Sequence, residues 1–168
     1  MNALSRKDQI LEFVKKNPGH HFRGIQRALR VSTGVLQYHL SGLVKENDII
    51  VRDINGTSCY FPSRGFNEDQ FKALSHLRNR VRNKILRALL DGNARPPAEL
   101  KKDLSVSSPT LSYHLGLMLE DGILEKVLNE KGTSYRVKDL SIFKGLIVEY
   151  KESFADKLIQ DFVDLWSR

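Results

Sequence analysis

One stretch of the chain occurs twice, and that repeat limits the folds the rest can take. Residues 31–42 read Val-Ser-Thr-Gly-Val-Leu-Gln-Tyr-His-Leu-Ser-Gly, and residues 106–117 read Val-Ser-Ser-Pro-Thr-Leu-Ser-Tyr-His-Leu-Gly-Leu. Val31, Ser32, Leu36, Tyr38, His39 and Leu40 recur as Val106, Ser107, Leu111, Tyr113, His114 and Leu115, without a gap, at a constant offset of 75. A repeat this regular predicts one supersecondary unit built twice.

Each copy reads as a short helix with one apolar edge. Ser32 and Ser107 are predicted N-caps, their hydroxyls meeting free first-turn amides. Pro109 falls in the first turn, where a missing N–H costs little. Leu36, Leu40 and Leu43, like Leu111, Leu115 and Met118, follow i, i+4, i+7 spacing and face inward. The outward set is Gly34, Gln37, Tyr38 and Ser41 in one copy, and Pro109, Ser112, Tyr113 and Gly116 in the other. Neither set carries a charge. A face meant only for solvent usually carries Lys and Glu, whereas a face suited to a DNA groove can look like this one.

The 168 residues suit one or two small domains, each with its own core. Hydrophobic residues are 40% and charged residues 28%, which argues against wholesale disorder. No apolar run approaches the ~18 residues needed to span a bilayer, and the N-terminus lacks a signal-peptide core. Cys59 is the single cysteine, so neither an intrachain disulfide nor a cysteine zinc cluster can form. It reads as a small residue on a half-buried strand. The expected location is the cytoplasm, in association with the nucleoid. Residues 1–66 hold ten Lys/Arg and five Asp/Glu, residues 67–138 thirteen and nine, and residues 139–168 four and six. Both repeats are therefore basic and the tail is not. That fits two polyanion-binding units and a segment with another job.

Taken in order, Ser5 caps a helix over about 6–16, ended by Pro18-Gly19. His20 and His21 read as loop before a helix over 22–29. The repeated helix follows, over about 32–46, with Asn47 as a left-handed stop. Residues 49–51 and 57–61 are strands joined by the hairpin signal Asn55-Gly56. Asn67, with Gln70 three residues on, starts a helix that meets no Gly or Pro before Gly92. This predicts a single helix of about 24 residues, roughly 36 Å long. A short helix over 98–104 and the second repeated helix, about 107–121, come next, with Gly122 as stop. Strands over 123–128 and 133–137 flank a tip at 129–132. A final helix is expected to reach residue 167, with an apolar stripe wide enough to require burial.

Three helices and a β-hairpin, with Ser-x-x-x-Leu-x-Tyr-His-Leu on the third helix, resemble the winged helix-turn-helix fold. More narrowly, Ser32, Leu36, Gln37, Tyr38, His39 and Leu40, and Ser107, Leu111, Ser112, Tyr113, His114 and Leu115, resemble those of ArsR- and MarR-like transcription regulators of archaea and bacteria. The resemblance covers about residues 5–62 and 78–137. It implies a third helix in the major groove and a wing along the backbone or minor groove. It departs from the ArsR pattern in having no paired Cys or His/Asp metal cluster. His39 and His114 read as core-flanking or phosphate-contacting groups. Two wings in one chain suggest an internal pseudo-dimer.

The expected fold class is mainly α with small β-hairpins (α+β). Tandem winged helix-turn-helix domains, 1–66 and 67–138, are joined by the long helix and followed by a C-terminal helix over 139–168. The expected function is a sequence-specific double-stranded DNA-binding regulator. Gln37, Tyr38, Ser41, Ser112 and Tyr113 would contact bases. Thr33 and Ser108, with Arg23, Arg27, Arg30, Arg52, Lys101, Lys102, Lys126, Lys131 and Arg136, would contact the backbone. Phe143, Ile147, Tyr150, Phe154, Leu158, Phe162 and Trp166 would form a homodimer contact, with the transcription machinery as a further partner. The competing reading is a tandem winged-helix protein-interaction module in a chromosome-organising or RNA polymerase-associated complex. No Gly-rich phosphate loop and no supported Ser–His–Asp order point to an enzyme, and no cofactor is expected.

Overall fold

The structure, a computed structural model, describes residues 4–130 and 132–154. Two compact units divide the chain between Ser75 and His76.

The first unit opens with α1 (Arg6–Lys16). Ser5 and Asp8 form a reciprocal capping box at its start. Then come β1 (His20–His21), α2 (Phe22–Leu29), α3 (Thr33–Lys45), β2 (Ile49–Ile54) and β3 (Thr57–Pro62). Ile10, Val14, Ile25, Leu36, Leu40, Leu43 and Ile49 are buried together, so the apolar edges read from spacing are the ones that form the core. The sheet order is β1-β3-β2, all antiparallel, with Ile54 opposite Thr57. Asn55 and Gly56 both take positive φ, 54° and 73°. That is the primed turn a two-residue hairpin loop requires.

One local expectation changes here. His20 and His21 are not loop: they pair with Tyr60 and Cys59. Two residues are too few to show a strand's alternation, but the partner strand supplies their hydrogen bonds. Cys59 does lie on a half-buried strand, on its buried face, with its thiol within reach of Ser75 Oγ at 3.8 Å.

The predicted 24-residue helix is broken. α4 (Glu68–Arg78) and α5 (Arg80–Leu89) are separate helices. Asn67 and Gln70 cap α4 reciprocally, as expected. Asn79 is extended at φ −85°, ψ 128°, and its side-chain oxygen accepts the amides of Val81 and Arg82 at 3.1 Å. An Asn competes with the helix for backbone hydrogen bonds and here starts a new one.

The second unit repeats the first at the same offset. α6 (Pro97–Leu104), α7 (Ser108–Glu120), β4 (Leu124–Asn129) and β5 (Gly132–Val137) stand 75 positions after α2, α3, β2 and β3, residue for residue. The Arg95–Tyr135 bridge takes the place of His20–Tyr60, with two backbone hydrogen bonds of 2.9 Å. β4 begins at Leu124 and β5 at Gly132, one residue later and one earlier than expected. Asp139 caps α8 (Leu140–Glu149), Tyr150 closes it, and residues 151–154 form a turn. The expected helix to residue 167 is thus shorter as far as residue 154, and its remainder lies outside the described residues.

Candidate nucleic-acid interface

The interface begins with the turn that delivers each third helix. Arg30 and Ser105 end α2 and α6 in the left-handed region, at φ 51° and 52°. L-residues avoid that region, so the chain accepts a local cost to make this corner. Ser32 and Ser107 follow with identical backbone angles, and their hydroxyls accept the amides of Val35 and Thr110 at 3.4 and 3.3 Å. Both caps stand where the sequence put them. The inward residues Leu36, Leu40 and Leu43, and Leu111, Leu115 and Met118, are buried, so the orientation of each helix about its axis is fixed.

That orientation sends Tyr38 and Tyr113 outward, 76% and 62% exposed. Each ring meets the neighbouring histidine edge-on, at centroid distances of 5.2 Å (Tyr38–His39) and 5.1 Å (Tyr113–His114). Gln37 and Ser41, and Ser112, are exposed beside the tyrosines, and Thr33 and Ser108 are exposed at the helix starts. In the first unit, Phe22, Thr33, Gln37, Leu40, Ser41, Val44, Lys45, Val51 and Tyr60 line an open cleft of about 520 Å³ between α3 and the wing. Every residue expected to read bases is therefore presented to solvent on one helix face within its own unit.

The basic residues divide into two groups. Arg23, Arg27, Arg30, Lys101, Lys102 and Lys126 are exposed. Arg52 instead pairs with Glu68 at 3.2 Å and lies over the Phe71 ring at 4.9 Å. Arg136 Nε donates to Glu125 at 2.6 Å across the second wing. These two would have to leave a carboxylate to reach a phosphate. Lys131 lies outside the described residues.

Three features were missed in the sequence. Lys45 is exposed one turn beyond Ser41 on α3, a place legible from i, i+4 spacing. Gln26 Nε2 donates to Thr33 Oγ1 at 2.9 Å, a link across the turn with no signature in sequence. His76 is fully buried and joins two charged groups: its Nε2 lies 2.7 Å from Asp121 Oδ2, and its Nδ1 lies 3.2 Å from Arg82 Nη1. Guanidinium only donates, so Nδ1 accepts and Nε2–H donates to Asp121. Close by, burial first, then the charge of Arg82, lowers the His114 pKa from its usual value. Among the described residues its Nδ1 is buried without a hydrogen-bond partner.

Of the residues expected at a dimer contact, Phe143, Ile147 and Phe154 are buried within the second unit, and Tyr150 is half-buried. The Arg78 guanidinium sits 4.0 Å over the Phe154 ring, and Nη2 donates to Ser153 Oγ at 2.5 Å. Leu158, Phe162 and Trp166 lie outside the described residues. No described helix is long and apolar enough to cross a membrane.

Comparison with known proteins matches residues 5–74 to an N-terminal helix-turn-helix domain family and residues 77–127 to a second helix-turn-helix domain family. The uncharacterized HTH-type transcriptional regulator MJ1398 of Methanocaldococcus jannaschii is 28% identical over 120 residues, which is 70% of this chain. The chain spans 29% of the length of that relative. Among solved structures, the transcriptional repressor BigR from Xylella fastidiosa matches at 28% identity and TM-score 0.41, over 46% of this chain and 79% of the other. HlyU from Vibrio cholerae matches at 25% and 0.41, over 47% and 85%. Rv0081 of M. tuberculosis matches at 24% and 0.44, over 59% and 99%. The chain thus carries two domains similar to helix-turn-helix families, each with a third helix followed by a β-hairpin.

Proposed function

We propose that the chain is a sequence-specific double-stranded DNA-binding transcription regulator, with α3 and α7 in the major groove and the two wings on the backbone or minor groove. The observation that carries this reading is the twice-built run of uncharged outward residues, Gly34, Gln37, Tyr38 and Ser41 in one unit and Pro109, Ser112, Tyr113 and Gly116 in the other. A helix fixed by three buried residues holds an exposed tyrosine and short polar groups outward, beside exposed Arg or Lys on the preceding helix. Uncharged polar and aromatic groups suit base edges, and flanking cations suit phosphates. Gln37, Tyr38, Ser41, Ser112 and Tyr113 take the first role. Thr33, Ser108, Arg23, Arg27, Arg30, Lys101, Lys102 and Lys126 take the second, with Lys45 added.

Selection of bound sequences from a random duplex library tests the reading, together with a salt titration of the selected site. If about six phosphates are neutralised, affinity should fall by roughly 10³ between about 50 and 200 mM salt. No enriched sequence and a flat salt response would overturn it. A second copy of the chain is part of the proposal only through Tyr150 and the residues beyond 154, because the stripe's other described members are already buried. Light scattering at micromolar concentration checks this: a mass near 19.2 kDa removes the homodimer.

A further inference from the structure

We infer that Gln26 is a positioning residue for DNA recognition by the first unit: it sets the Thr33 hydroxyl as a donor to one backbone phosphate. This rests on the DNA-binding reading above. Gln26 lies on α2 and is half-buried, while Thr33 is the first residue of α3 and is exposed. The bond from Gln26 Nε2 to Thr33 Oγ1, 2.9 Å long, crosses the corner made by left-handed Arg30. A hydroxyl has one proton and two lone pairs. Accepting from Gln26 engages a lone pair and leaves the proton to point away from α2, toward the exposed side. The same bond ties the start of α3 to α2, which limits how α3 can turn on the DNA.

The second unit supplies an internal contrast. Lys101 and Ser108 stand at the corresponding positions, and among the described residues they make no such bond. The positioning device therefore belongs to the unit that also carries Gln37.

The test uses the full chain and its selected duplex. Gln26→Met keeps the side chain's length and removes the donor, and Thr33→Val removes the hydroxyl at equal size. Each should weaken binding about tenfold, the usual scale for a hydrogen bond to a charged group. The double variant should be no weaker than either single one, because one device has been removed twice. Single methylphosphonate replacements walked along both strands give a readout that a purely structural role would not move. One position should cost the unsubstituted chain about tenfold and cost Gln26→Met and Thr33→Val nothing further. Thr33→Ser should restore the loss at that position. Additive losses, or a Gln26→Met chain that still senses the same phosphate, overturn the assignment. If the unsubstituted chain retains no duplex at low salt, the DNA-binding reading fails and this assignment fails with it.

Discussion

Lys7 and Glu46 in the first unit correspond, 75 positions on, to Arg82 and Asp121 in the second. The same two scaffold places hold different electrostatics. Lys7 and Glu46 form an ion pair at the surface, with side chains 36% and 52% exposed. Arg82 and Asp121 are joined through His76, which is fully buried. A surface pair is screened and contributes little, whereas a buried charge that loses its partner is left without compensation. The repeat therefore conserved a backbone position and changed what it does, from decorating a surface to holding a core together. The third helices of the two units diverge in the same way. Gln37, Ser41 and Lys45 on α3 are matched by Ser112, Gly116 and Glu120 on α7. The first helix carries the longer side chains and a cation, and the second has shorter groups and a carboxylate.

The largest test of this contrast is to remove the acid from each pair. Asp121→Ala should destabilise the second unit by about 1–3 kcal/mol, the scale for leaving a buried donor, here His76 Nε2–H, without its acceptor. Glu46→Ala should leave the first unit's unfolding midpoint in place. Equal losses, measured by denaturant unfolding with amide exchange to separate the units, would end the distinction between surface and core.

Next is base reading. Gln37→Ala should cost ~1–3 kcal/mol on the selected site and relax preference at one base pair, since Gln can bond an adenine edge twice. Ser112→Ala should change specificity much less. A loss for Gln37→Ala that is equal on specific and random duplex would refute a base-reading role.

Smaller still is the corner. Ser105→Gly relieves a left-handed L-residue and should raise the second unit's stability by up to about 1 kcal/mol. Arg30→Gly should do the same for the first unit, while removing a proposed phosphate contact and lowering the salt slope. Thermal unfolding and the salt titration read the two effects separately.

The smallest expected effect is with pH. Burial lowers the His114 pKa in the second unit and, with a smaller contribution from Arg27, the His21 pKa in the first. The unfolded chain takes up each proton first as pH falls, so folded-state stability present above 6.5 is lost on acidification. Unfolding midpoints should decline between about pH 7.5 and 5.5. His114→Asn should flatten the decline in the second unit only, and His21→Asn in the first only. A slope that neither substitution changes assigns the titration to other groups.

Most of each unit could be read from the sequence because its boundaries are set by local chemistry. Ser32, Ser107, Asn67 and Asp139 satisfy helix amides near them in the chain, and Asn55-Gly56 carries its own turn geometry. The apolar spacing of α3 and α7 could be read for the same reason. What escaped depends on partners far away. The strand at His20–His21 exists only because β3 lies beside it. His76 sits between Leu74 and Leu77 and looks like any helical histidine until Asp121, 45 positions on, is placed against it. The break at Asn79 had a local cause, but Asn also occurs inside helices, and without a Gly or Pro the apolar pattern ran straight through it. At the candidate interface, which residues of each third helix face solvent was legible. The carboxylates that hold Arg52 and Arg136 were not, since each comes from another element.

The unlike faces of α3 and α7 also give the chain a polarity. A symmetric pair of identical readers meets a palindrome equally well in either of two orientations. One chain with Gln37 in its first unit and Ser112 in its second has no such equivalence. On its site it would have a head and a tail, so the DNA sequence alone would set which unit lies upstream. Reversing the site relative to a start of transcription would then present the opposite unit to whatever binds next to it.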